Sequence, residues 1–227
     1  MDLTLIQTSL PQLAAGAVLT LELVLLSLAA GIVLAVATAF GRLSRLRPLS
    51  LLVGAYVFVF RSTPLLVQIF LIYYGLGQFE AVRASLVWPL LREPYWCAIL
   101  ALTLNTGAYG GEIIRGGILS VPFGQIEAAR ALGMAPGLMY RRIILPQAFR
   151  QVLPAYGNEM IQVVQASSLA STITLMELTG VARAIAARTY QPLEVFLVAG
   201  AFYLLLNLVI AQGVRLAERR LARETRR

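Results

Sequence analysis

The chain has 227 residues, 59% hydrophobic and 13% charged, with a mean hydropathy of +0.77 and a formal charge of +8. That apolar content exceeds what one soluble core of this length can hide, whereas lipid accepts it as helices of about 20 residues each. All nineteen positive side chains are Arg, with no Lys and no His, which excludes a P-loop, an imidazole metal site and a His general base.

Met1 to Leu10 holds an Asp and no positive charge, so no cleaved leader is expected. The first membrane span is expected over about residues 13–40. It carries Glu22, and an ionisable group inside a span costs about 2.5–3.5 kcal/mol on insertion scales. The sequence offers Glu22 no partner.

The second span, about 51–76, is interrupted by Thr63-Pro64. Such a break frees backbone carbonyls, which at membrane depth are tolerated only beside protein or a cavity; a plain kink is the other reading. Arg61 is deep enough to need a partner, and Gln68 follows one turn past Pro64. The third span, about 95–118, contains Cys97, the single cysteine, so no disulfide or Cys-rich zinc site forms within one chain. Asn105, Tyr109 and Glu112 recur there at i, i+4 and i+7 on one face. Glu112, about 26 Å along the helix from Tyr95, has Arg115 three residues on as a partner, which favours a structural or gating role.

The fourth span, about 152–178, is the least apolar. Asn158, Gln162, Gln165 and Thr172 fall at i, i+4, i+7 and i+14, one helical face, with Glu159 beside it. Glu159 sits about 14 Å along the helix from Arg150, near mid-membrane. A polar stripe there faces protein or water, either to contact cargo or to hydrogen-bond between helices. The fifth span is expected over about 193–214.

Arginine placement sets the orientation. Fourteen of the nineteen arginines fall between spans one and two, between spans three and four (counting Arg115 at the edge of span three), or after span five, the last group being Arg215, Arg219, Arg220, Arg223, Arg226 and Arg227. The positive-inside rule makes those segments cytoplasmic, the N-terminus periplasmic and the C-terminus cytoplasmic. Short tracts between apolar runs are not the basic stripe of a nucleic-acid binder, so no nucleic-acid partner is expected. Five spans cannot come from a simple internal duplication, so an enclosed path needs a second copy or a paralogue.

The cytoplasmic segment of about 124–147 is too polar to span. Glu127 to Leu132 are strong helix formers; Gly133 stops that helix, and Pro136-Gly137 is expected to turn the chain into a second short helix ending by Leu145, before Pro146. Ala128, Ala129, Leu132 and Met134 are then free to dock elsewhere. An amphipathic hairpin lying on headgroups is the competing reading.

Glu127-Ala-Ala with Gly133 and Ile143-x-Leu-Pro146 resembles the "EAA loop" of bacterial binding-protein-dependent ABC permeases. Phe60-Arg-Ser-Thr-Pro-Leu-Leu-Val-Gln68, Tyr73-Tyr-Gly75, Asn105-Thr-Gly-Ala-Tyr109-Gly-Gly-Glu112 and Arg115-Gly-Gly-Ile118 are similar to the polar amino-acid branch. Asn158-Glu159, Ser167-Ser-Leu169 and Ala187-Arg-Thr-Tyr-Gln-Pro192 look most like histidine, arginine and opine permeases. Ser62 departs from a common Gly, and Ala166 from a nearby acidic residue.

The resemblance implies a type I ABC importer permease fold, one all-α polytopic domain over 1–227 in a bacterial inner membrane. It implies a non-catalytic chain without cofactor, whose partners are an ATPase dimer that binds ATP and Mg, a second permease copy or paralogue, and a periplasmic or extracellular solute-binding protein. Glu127, Ala128, Ala129, Gly133, Ile143, Leu145 and Pro146 would meet the ATPase. Thr63, Gln68, Tyr109, Asn158, Glu159, Gln162 and Ser168 would meet an amino-acid cargo, basic or opine-like. Arg61, Pro64, Asn105, Glu112 and Arg115 would gate or brace the path. Against this stand an ion-coupled secondary transporter, which usually shows paired repeats within a chain, and a channel subunit, which has no use for the two-helix loop.

Overall fold

The computed structural model describes residues 3–224. Met1 and Asp2 of the leader reading, and Arg226 and Arg227 of the cytoplasmic count, lie outside the described residues. All the regular structure among the described residues is helical: α1 (Leu3–Leu43), α2 (Arg47–Ser62), α3 (Leu65–Phe70), the short α4 (Glu80–Arg83) and α5 (Trp88–Leu91), α6 (Pro94–Leu119), α7 (Phe123–Ala131), α8 (Pro136–Met139), α9 (Leu145–Ala166), α10 (Leu178–Thr189) and α11 (Pro192–Glu224). Three stretches, Thr4–Leu43, Pro94–Leu119 and Pro192–Leu221, are long and apolar enough to cross a membrane. Two bent pairs also qualify by composition: α2 with the helical stretch Leu65–Gln78, and Pro136–Ile173 with α10.

The centre of the molecule is a seam between α1 and α6. Gly31 packs on Thr106, Gly110 on Ala35 and Gly111 on Thr38, so the two helices run side by side in the same direction. Small residues allow this approach, as in membrane helix pairs generally. A Cβ on Gly111 would come within 2.5 Å of the Thr38 methyl. α9 runs against α6, with Tyr156 on Gly110 and Val152 on Gly117. α11 runs against α9, since Val163 and Val164 share a cluster with Leu206 and Ile210, and Val214 lies on Gly157.

The expected second span is not one helix. The chain breaks at Thr63-Pro64 and turns by 108°, far more than a proline kink, because Thr63 and Pro64 are both extended (ψ 144° and 136°) and α3 starts afresh. The expected fourth span is likewise broken, by a 51° bend after Ile173. Helix α9 tightens into a 3-10 segment at Ser167–Ile173, and Thr174 then takes a left-handed conformation (φ 69°). The change of period moves Thr172 off the face shared by Asn158, Gln162 and Gln165.

The expected second short helix is also corrected. Pro136-Gly137 does not make the turn; Pro136 opens α8, which passes through a π turn at Tyr140–Ile144 directly into α9. Pro146 lies in the first turn of α9 rather than ending a helix. The wider π turn shifts the hydrogen-bond ladder just before it, where a missing donor costs little.

Candidate functional site

The break in α2 builds the site. A chain leaving helix at Thr63 orphans several carbonyls, which need donors when water is excluded. Gln68 donates from Nε2 to the Phe60 carbonyl at 2.9 Å and to Thr63 at both its carbonyl (3.1 Å) and its hydroxyl (2.9 Å). Asn105 of α6 donates to Gln68 Oε1 at 3.1 Å and reaches the Phe60 carbonyl at 3.5 Å. Tyr109 donates its hydroxyl to the Arg61 carbonyl at 3.5 Å, while the Arg61 guanidinium lies 5.1 Å from the Tyr109 ring centroid.

Around this brace is a cavity of about 450 Å³, walled by Arg61, Thr63, Asn105 and Tyr109 on one side and Glu159 and Gln162 of α9 on the other. Glu159 is 5% exposed and makes no hydrogen bond among the described residues. Arg61 is the cation within electrostatic reach of it, without direct contact. A buried carboxylate that faces a cavity with no donor of its own attracts a cation, because the field there is weakly screened.

The sequence-predicted residues divide. Thr63, Tyr109, Glu159 and Gln162 come together at this cavity. Gln68 does not: it is buried and spent on the break. Asn158 is exposed on α9 away from the cavity wall, and the Ser168 hydroxyl donates to the Gln165 carbonyl at 2.6 Å. Pro64 and Asn105, expected to gate or brace, stand in the wall as well.

Glu112 is held by Arg115 (2.7 Å) and by a second cation that the sequence did not single out, Arg42 at the end of α1 (3.3 Å). Arg42 read there only as an orientation charge. A second buried carboxylate was missed altogether. Glu177, fully buried, caps α10 by accepting from the Gly180 and Thr179 amides (2.8 and 3.0 Å), and also takes the Tyr203 hydroxyl at 2.9 Å and the Thr20 hydroxyl at 3.4 Å. Its signal was a Glu two residues before Thr179-Gly180 at a helix start. Glu22 is exposed on α1.

At the far end of α6 the polar loop folds as a foot. Helix α7 ends at Ala131 with Leu132 as its cap, and Gly133 takes φ +71°. The Met134 amide bonds back to the Ala129 carbonyl and the Gly133 amide to Arg130, a Schellman closure that glycine fits without strain. Ala129 and Met134 are therefore not free to dock: they pack with Ile118, Val121, Met139 and Ile144 in a core of the foot. Ile143 also joins that core. What faces outward is Glu127, Ala128, Phe123, Leu138 and Leu132, the last 81% exposed. Gln147 donates to Gln125 Oε1 at 2.6 Å and pins α7 against α9.

The family described as "Binding-protein-dependent transport system inner membrane component" matches residues 27–223. The octopine transport system permease protein of Rhizobium meliloti is 57% identical over 91% of this chain and 84% of that protein. The nopaline transport system permease protein of Agrobacterium fabrum is 55% identical over 96% and 91%. The histidine/lysine/arginine/ornithine permease of Escherichia coli is 43% identical over 90% and 87%. Among solved structures, an amino acid ABC transporter crystallised with histidines superposes with a TM-score of 0.87 at 35% identity, over 97% of this chain and 99% of that one.

Proposed function

We propose that this chain, which belongs to the family of binding-protein-dependent transport system inner membrane components, is the permease subunit of an ATP-driven importer of basic amino acids or opines. It crosses the inner membrane five times, with its N-terminus periplasmic and its C-terminus cytoplasmic. The alternating directions of α6, α9 and α11 support that path, as does the parallel run of α1 and α6, which requires the α2–α3 pair to return between them. The relatives' names support the cargo class: octopine, nopaline, and the basic amino acids.

The observation that carries the reading is Glu159, a buried carboxylate with no hydrogen-bond donor among the described residues, facing a polar cavity opened by the break in α2. Cargo enters that cavity with its cationic group toward Glu159, while Thr63, Tyr109 and Gln162 line its flanks. Arg61, Pro64, Asn105, Glu112 and Arg115 hold the break and the lower part of the path. The foot around Glu127, Ala128 and Gly133 seats in a separate ATPase dimer, which binds ATP and Mg. Closure of that dimer rocks this permease against a second copy or a paralogue between two states. A periplasmic solute-binding protein delivers the cargo.

Glu159→Gln keeps the shape of the wall and removes its charge. In the intact transporter, reconstituted in proteoliposomes with ATP, it lowers uptake of arginine about tenfold relative to a neutral amino acid, the loss of roughly 1.4 kcal/mol of charge attraction. Equal loss for charged and neutral cargo at matched protein abundance removes Glu159 from cargo reading. Uptake that persists without ATP and is driven by a proton gradient overturns the importer assignment.

A further inference from the structure

A second polar cavity, of about 390 Å³, lies directly below the first and shares Arg61, Ser62 and Tyr109 with it. Its remaining wall is Gly54, Val57 and Phe58 of α2, with Arg42 of α1 and Glu112 of α6. The two chambers are in series along one helical face of α6. Asn105 faces the upper one, Tyr109 both and Glu112 the lower, a rise of about 10 Å over seven residues. The Arg61–Tyr109 contact is the partition between them.

The two chambers differ in charge: Glu159 and Arg61 offset each other in the upper one, whereas the lower one carries an excess of positive charge. The upper one holds the free carboxylate Glu159. In the lower one Glu112 is already engaged, with Arg115 making three hydrogen bonds to it and Arg42 one. Arg115 does not line the chamber, so its pairing neutralises Glu112 from behind. Among the described residues, Arg42 is bound through Nε to Glu112 and Nη1 to the Ser50 carbonyl, the latter at 3.4 Å. Its guanidinium reaches the chamber across Gly54, where a Cβ would sit 2.7 Å from Nη1. Arg61 donates no hydrogen bond from its side chain among the described residues. Read downward, the wall therefore presents one carboxylate (Glu159), then Arg61, then a net positive site where Arg42 adds its charge to a Glu112 already paired with Arg115.

We propose that the lower chamber is a carboxylate subsite, and that the two chambers together select cargo with a side-chain cation at one end and two carboxylates flanking a protonated secondary amine at the other, as in an N-carboxyalkyl derivative of a basic amino acid. The inference rests on the reading of the upper cavity as the cargo site. The cationic end lies at Glu159, the first carboxylate meets Arg61 at the partition, and the second passes Tyr109 to Arg42. Arginine itself fills only the first two positions. A guanidinium is suited to this role because its planar fork binds carboxylates in two-point fashion.

Octopine and arginine test it, since octopine is arginine bearing one further carboxylate. Each is titrated against the purified intact transporter and its affinity read from the rise in melting temperature with concentration. Arg42→Gln lowers the affinity for octopine about fivefold relative to that for arginine, the loss of one partly screened charge. Gly54→Val, which displaces the guanidinium without removing its charge or touching Arg115, shifts the ratio the same way. Glu112→Gln, which removes a negative charge from the same wall, shifts it the other way. If Arg42→Gln does not assemble, the Gly54 and Glu112 variants decide the matter. Ratios unchanged in these variants mean Arg42 serves packing alone and overturn the subsite. A wild-type transporter that binds arginine but not octopine overturns the subsite and leaves the permease reading standing. Binding of neither overturns both.

Discussion

At the scale of single residues, two buried glutamates have opposite fates. Glu159 faces a cavity and accepts no hydrogen bond among the described residues, whereas Glu177 is surrounded by four donors. The first is arranged to receive something, and the second ties α1, α10 and α11 together at the bend after Ile173. Removing the carboxylate of Glu177 strands two backbone amides and the Thr20 hydroxyl in the interior, while Tyr203 keeps its bond to the Thr179 hydroxyl. Glu177→Ala therefore lowers the stability of the detergent-solubilised protein by about 2–4 kcal/mol, whereas Glu177→Gln, which keeps an acceptor, costs less than half of that. Thermal melts of the two variants check the order; equal melting temperatures would remove Glu177 from the scaffold. The sequence displayed Glu159 because it stands at helical spacing among polar neighbours. It concealed Glu177, whose four donors come from three separate elements, the nearest side-chain pair being 26 residues apart. Arg42 was visible only as a charge near a membrane edge, because its partner Glu112 is 70 residues away.

At the scale of elements, helix starts and stops that depend on local chemistry were readable. Gly133 is one: its positive φ and the closure onto Ala129 follow from a glycine placed after a run of strong helix formers. Nothing lies within 4 Å of a Cβ built there, so Gly133→Arg costs only about 1 kcal/mol of backbone strain. It thrusts a long cation from the outward face of the foot. The variant inserts and melts close to wild type but loses ATP-driven uptake, which membrane abundance and transport assays together reveal. Uptake at the wild-type rate would disconnect the foot from coupling. Elements whose geometry depends on distant partners were not readable. Thr63-Pro64 marks an interruption, but 108° requires Gln68, Asn105 and Tyr109 to collect the stranded carbonyls. Pro146 looked like a terminus because the π turn that accommodates it has no sequence mark.

For the whole molecule, apolar runs and arginine tracts were enough to announce a helical membrane protein, and the small-residue seam of α1 and α6 gave it a centre. Orientation is open to a direct check. Cys97, the only native cysteine, is fully buried, so the wild-type chain stays unlabelled by a membrane-impermeant maleimide. Tyr190→Cys, at a position 89% exposed after α10, reacts in cells whose inner membrane is sealed. Leu46→Cys, 67% exposed between α1 and α2, reacts only once that membrane is permeabilised. The reverse pattern inverts the topology. The unbroken helical course from Pro136 to Ile173 has a mechanical consequence. The C-terminal part of the foot, from Pro136, and the Glu159 carboxylate sit on one helical lever, with an arm of about 35 Å at 1.5 Å per residue. A tilt of about 10° imposed at the foot would swing the carboxylate through about 6 Å by that same arm length. That is the width of a side chain, less whatever bending the π turn at Tyr140–Ile144 and Pro154 absorb on the way.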